Sequence, residues 1–209
     1  MKTAWLLALL SIFSGVYLVV AYMVCRPKVS PEYRAYYIER ISSDWKNGPR
    51  YAAQPEQGIV FGTEGLPTFV KYIYGFSAHQ AWGRWTDGNL GKKAGVVLDQ
   101  GLSGSVCLEI RAIPATSQLN KEITVTLGDQ MKKVVLNSPR FDNYFLDFFE
   151  PNAADIVEFR FPNTPPPIPD GRRLGLGMGY LRLFRENCIS VQKQIGAEAQ
   201  GNPGPTGAS

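Results

Sequence analysis

The sequence predicts an all-β protein, an antiparallel β-sandwich of jelly-roll type, behind a single N-terminal transmembrane helix and a short juxtamembrane helix. Three observations carry that expectation. An uncharged apolar run occupies the N-terminus, and eight or nine short β-branched and aromatic runs fill the middle of the chain. Turn residues separate those runs at intervals of about 8–12 residues, with no long helical pattern between them. The chain divides accordingly into an anchor (1–28), a juxtamembrane helix and linker (29–56), a sandwich (57–190) and a disordered tail (191–209).

The anchor rests on Ala4 to Val24, 21 residues without a charge, which at about 1.5 Å per residue span a ~30 Å hydrocarbon core. Trp5 and Tyr22 sit near its ends, where interfacial aromatics are common. Two rival readings are a cleaved signal peptide and a lipoprotein attached through Cys25. The run exceeds the roughly 7–15 apolar residues of a signal peptide, and no A-x-A site follows it. Ala21-Tyr22-Met23-Val24 lacks the small residues expected before a lipid-bearing cysteine. The flanks disagree with a translocated domain: Arg26, Lys28, Arg34 and Arg40 outnumber Lys2, although long domains translocate largely regardless of charge.

After the anchor, Ser30-Pro31-Glu32 reads as a helix start, with a capping serine, a first-turn proline and an acid at the positive end of the dipole. Tyr33, Tyr36, Tyr37, Ile41 and Trp45 recur at helical spacing up to Asn47-Gly48. That aromatic face would pack on the following domain or lie on a membrane surface.

The predicted strands are Gly58–Phe61, Thr68–Gly75, Ala94–Leu98, Ser105–Ile113, Glu122–Leu127, Lys132–Asn137, Asn143–Phe149, Asp155–Phe161 and Leu176–Arg185. In the fourth, Val106, Leu108 and Ile110 alternate with Cys107, Glu109 and Arg111, the period of a half-buried strand. Leu127-Gly128-Asp129-Gln130 predicts a tight hairpin. The run from Asn163 to Arg173 is a Pro-rich loop that cannot join a central ladder. The glycines of Gly175-Leu176-Gly177-Met178-Gly179 would let a neighbouring side chain, such as a tryptophan, lie across the sheet.

Composition narrows the function. With 44% hydrophobic and 19% charged residues the chain folds, and a net charge of +4 without a Lys/Arg block argues against nucleic acid as a partner. One histidine, His79, and three cysteines without a CxxC pair argue against a metal site, and no cofactor is expected. A G-x-S-x-G elbow is absent, and Glu64, Asp87, Asp99, Asp142 and Asp147 are scattered among turns. Cys107 and Cys188 allow two readings. They pair in an oxidising compartment if their Cα atoms come within about 7 Å, or they are two small apolar fillers.

The segment from Gly75 to Gly88, GFSAHQAWGRWTDG, is the most distinctive. Trp82 and Trp85 could stack on the apolar faces of sugar rings, with Gln80, Arg84 and Asp87 bonding hydroxyls or a phosphate. Equally, the tryptophans could be core residues and Arg84 an internal strut paired with Asp87.

Together with Leu90-Gly91-Lys92, the strand Cys107 to Ala112 and the closing Arg173-Leu-Gly-Leu-Gly-Met-Gly179, this segment resembles the C-terminal accessory β-domain of bacterial phosphoglycerol transferase I. Those enzymes decorate periplasmic glucans, and similar domains accompany other membrane enzymes of envelope polysaccharide synthesis. The likeness covers about Gly58 to Arg185. It departs at Gln80, where the family tends to carry Glu, and the catalytic domain of those enzymes is absent. The resemblance implies a non-catalytic module, tethered to the inner membrane and facing the periplasm. Its partner would be an envelope polysaccharide or glycolipid, or a membrane glycosyltransferase or phosphoglycerol transferase. The alternative is a small glycan- or glycolipid-acting hydrolase or transferase with Asp87, Glu64 or His79 as acid or base.

Overall fold

The computed structural model describes residues 2–25, 29, 34, 49–152, 154–169 and 171–201. Helix α1 (Lys2–Cys25) opens the chain. Its described side chains are Trp5 and the thirteen of residues 10–22, most of them apolar and exposed. Among the described residues no helix is long and apolar enough to cross a membrane, so the transmembrane expectation rests on the sequence alone. The expected juxtamembrane helix lies almost wholly outside the described residues.

The body consists of two five-stranded sheets and a small two-stranded one. The first sheet runs β10 (Asp142–Phe148), β7 (Val106–Pro114), β12 (Leu174–Phe184) and β2 (Ile59–Val60), with β5 (Arg84–Asp87) also paired to β12. The second runs β4 (Val70–Tyr74), β6 (Lys93–Leu102), β11 (Ala154–Arg160), β8 (Glu122–Leu127) and β9 (Gln130–Val135). Within both sheets the pairings are antiparallel. Among the described residues the parallel pair is β1 (Arg50–Tyr51) with β3 (Leu66–Pro67).

The core lies between the two sheets. Val106, Leu108 and Ile110 of β7 and Leu181 and Leu183 of β12 meet Val96 of β6, Val125 of β8 and Val157 and Phe159 of β11. Strict alternation puts these side chains on one face of each strand, which makes the expected β-sandwich. All nine predicted strand regions are strands, and Leu127 pairs with Gln130 across a two-residue turn in which Gly128 has φ 58°. Three strands lie outside the predicted regions: the two-residue β1 and β3, and β5, which is the R-W-T-D of the distinctive segment.

Two expectations are corrected. Residues 191–201, expected without structure, belong to helix α2 (Cys188–Gly201). The Asn187 side chain caps it by accepting a hydrogen bond from the Ser190 N–H at 3.0 Å. Cys188, Val191 and Ile195, three and then four residues apart, lay one face on the outside of the first sheet. The outer face of β7 is not solvated at Cys107 and Glu109, which are 0% and 1% exposed. Helix α2 covers the first through a disulfide between Cys107 and Cys188, whose Cα atoms are 4.8 Å apart. Polar neighbours cover the second.

Candidate functional site

The outer face of the first sheet collects the side chains that could bind a ligand. Residues 80–83 form a tight reversal: the Gln80 N–H donates to the Gly83 carbonyl at 2.8 Å, and the Gly83 N–H to the Gln80 carbonyl at 2.9 Å. Gly83 is required here because a Cβ would lie 2.1 Å from the Met178 carbonyl oxygen. The reversal lifts Trp82 onto the sheet, where it remains 38% exposed. Its ring occupies the space above Gly177, whose added Cβ would meet Trp82 ring carbons at 3.0 and 3.1 Å. The Trp82 indole N–H donates to Gln80 Oε1 at 2.9 Å.

Trp82 is the centre of an aromatic cluster. Trp85 meets it edge-on with centroids 5.3 Å apart, and Phe141 lies tilted at 5.6 Å. The Arg111 guanidinium stands 5.7 Å from the Phe141 centroid. Trp85 continues into a groove of about 650 Å³ whose other walls include Ile113, Leu119, Leu174 and, from the Pro-rich loop, Pro166, Pro167 and Ile168. The loop that could not enter a ladder thus walls this groove.

Toward α2 the same face becomes polar. Glu109 Oε1 accepts hydrogen bonds from the Tyr180 hydroxyl at 2.8 Å and from Asn143 Nδ2 at 3.3 Å. Arg182 Nε lies 3.6 Å from Glu109 Oε2, and its guanidinium stands 4.5 Å from the Tyr180 ring centroid. Burial, then the bond to Glu109, raises the Tyr180 hydroxyl above its ordinary pKa, so it stays a donor at neutral pH.

Of the five residues singled out from sequence, Gln80, Trp82 and Trp85 come together on this face. Arg84 alternates with Trp85 on β5, is 2% exposed, and lines a separate recess of about 240 Å³ with Arg50, Glu64 and His79. Asp87 accepts a hydrogen bond from the Asn89 N–H at 2.8 Å, shaping the turn after β5. Phe141 and the Glu109 cluster escaped the sequence reading. The signal available was the charged alternation of β7, with Glu109 and Arg111 on the face opposite the core. Among the described residues no group of three or more His, Cys, Asp or Glu side chains could hold a metal ion.

Comparison with known proteins agrees with the resemblance drawn from the motifs. Phosphoglycerol transferase I of Escherichia fergusonii is 30% identical over 144 residues, covering 66% of this chain and 18% of that protein. The enzyme of the same name from Escherichia coli O157:H7 is 28% identical over the same extent. The chain thus spans under a fifth of the length of these relatives. Among solved structures, a family 29 carbohydrate binding module matches with a TM-score of 0.38 at 14% identity, covering 60% of this chain and 88% of that one. Another family 29 module gives a TM-score of 0.35 at 12% identity, over 65% and 95%. Residues 45–185, the whole sandwich with both halves of the candidate site, match a family defined as a domain of unknown function, DUF7024, and to that family this chain belongs.

Proposed function

We propose that this chain is a non-catalytic glycan-binding accessory module of the bacterial envelope. The apolar run of α1 holds it at the inner membrane, and its sandwich faces the periplasm. The observation that carries the reading is the aromatic cluster on an outer sheet face, exposed Trp82 packed against half-buried Trp85 and Phe141 and continuous with a groove. A pyranose presents an apolar C–H face, which stacks on the part of Trp82 left open to solvent, while its equatorial hydroxyls reach sideways to polar side chains. Burying every indole in the core would be the simpler packing solution, so an exposed one at the centre of a cluster is the kind of patch that marks a binding site.

The relatives support the setting. Sharing under a fifth of phosphoglycerol transferase I is what an appended module of such an enzyme, separated from its catalytic part, would share. The ligand on this reading is an envelope polysaccharide or glycolipid, and the protein partner a membrane glycosyltransferase or phosphoglycerol transferase.

The test is binding of the purified protein to an array of bacterial envelope glycans, with Trp82→Ala beside it. The variant should lose at least about tenfold in affinity, or about 1.4 kcal/mol. Its melting temperature should stay close to the parent's, because a side chain already 38% exposed costs less than the ~3–5 kcal/mol of a core tryptophan. Unchanged binding in Trp82→Ala, or a collapse of stability, would defeat the platform reading.

A further inference from the structure

The outer face offers more than an aromatic platform. Along β7, Ile113, Arg111 and Glu109 point to the same side in successive rows. Strand register completes each row. Ile113 faces Gly177, beneath Trp82; Arg111 faces Asn143 and Tyr180; Glu109 faces Phe145 and Arg182. At about 3.3 Å per residue, the rows of Ile113 and Glu109 lie about 13 Å apart, well beyond the width of one pyranose ring. At the far end Cys107, bridged to Cys188 and covered by α2, closes the strip.

The polar rows have a construction that packing alone does not call for. Glu109 is 1% exposed, and its Oε2 accepts no hydrogen bond among the described residues, with only the Arg182 guanidinium opposite it. Burying a carboxylate on an outer sheet face is costly, and an apolar residue of similar size would serve stability as well or better. What Glu109 does achieve is order. It holds the Tyr180 hydroxyl, the Asn143 amide and the Arg182 guanidinium in one layer. Arg111 and Asn143 are exposed beside that layer, and the Arg182 side chain is 34% exposed. Fixed donors and acceptors on a surface bind hydroxyl groups without the entropic cost of first being ordered.

We infer that Asn143, Tyr180 and Arg182, positioned by buried Glu109, form with the neighbouring Arg111 a second, polar subsite for the hydroxyls of sugars that follow the one stacked on Trp82. The ligand is then an oligosaccharide lying along β7, not a single sugar, with one end against the α2 wall. This rests on the glycan-binding reading and deepens it by assigning ligand length and direction. Glu109 is a positioning residue; Arg111 and Asn143 touch the ligand.

The test is calorimetric titration of the full chain in detergent with gluco- and manno-oligosaccharides of two to six residues. Affinity should rise with length until both subsites are filled. Arg111→Ala and Asn143→Ala, which alter exposed side chains, should lower affinity for the longer sugars about tenfold and for the disaccharide by less. Glu109→Gln, which keeps the side-chain shape but frees Arg182, should show the same length-selective loss. Thermal melting separates these effects from unfolding. Equal losses at every length, or none in the two alanine variants while Trp82→Ala still abolishes binding, would overturn the subsite and leave the platform standing. Failure of the parent protein to bind any of these sugars would overturn both.

Discussion

Glu158 and Glu109 lie on the two opposite outer faces of the sandwich, each bonded to a tyrosine hydroxyl and paired with a cation. On the second sheet, Glu158 accepts hydrogen bonds from the Tyr74 hydroxyl at 2.8 Å and from Arg160 Nη2 at 3.0 Å, and pairs with Lys93 Nζ at 3.2 Å. Burial alone would raise its pKa. The bonds from Tyr74, Arg160 and Lys93 together outweigh that and hold the carboxyl below its ordinary range. A depressed carboxyl contributes stability above the unfolded value of about 4.3, and that contribution is lost as pH falls through the lower folded value. Glu158→Gln should therefore be less stable than the parent near pH 7, with the gap narrowing below about pH 4. Urea unfolding from pH 3 to 7 measures this, and a gap independent of pH would refute it. The network was not legible in the sequence, because Tyr74 and Glu158 are 84 residues apart and meet only through β6, across which the Tyr74 ring covers Gly95.

At the scale of elements, α2 is attached rather than folded on its own merit. Fourteen residues are marginal as an isolated helix in water, and among its described side chains Cys188, Val191 and Ile195 are the apolar ones that pack on the sheet. The disulfide spans 81 residues of sequence and fixes the helix where those three contacts can form. Removing it through Cys107→Ala and Cys188→Ala together should cost about 2–5 kcal/mol. Amide exchange should quicken throughout α2 and at the neighbouring outer-face residues of β7, while β8 and β11 in the opposite sheet keep their protection. Uniform protection of α2 without the bridge would mean that its apolar contacts suffice. The cap Asn187 and the i, i+3, i+7 spacing of Cys188, Val191 and Ile195 were present in the sequence as a helix signal. The Gly/Ala-rich stretch that follows outweighed them in the reading that made this region a tail.

For the whole molecule, the proposal that the sandwich faces the periplasm rests on the resemblance to the envelope enzymes and runs against the charges flanking the apolar run. Reporter enzymes fused after Ser209 should be active when they require the periplasm and silent when they require the cytoplasm. The opposite result would remove the envelope ligand along with the localisation, since the sandwich would face the wrong compartment. The sequence by itself determined the sandwich, because period-two alternation such as Val106, Leu108 and Ile110 leaves an apolar face to be covered, and the region of short strands holds no long helical pattern to cover it. Its Gly175 to Gly179 run also offered room for a side chain such as a tryptophan to lie across the sheet, and Trp82 lies over Gly177. What only the tertiary structure decided was partnership across the chain. Trp82 meets Phe141, Glu109 meets Tyr180, Arg84 turns away from the tryptophans, and Cys107 meets Cys188. Each of these depends on strand order and register, which place residues dozens of positions apart in one row of a sheet, and alternation along a single strand carries no information about which strand lies beside it.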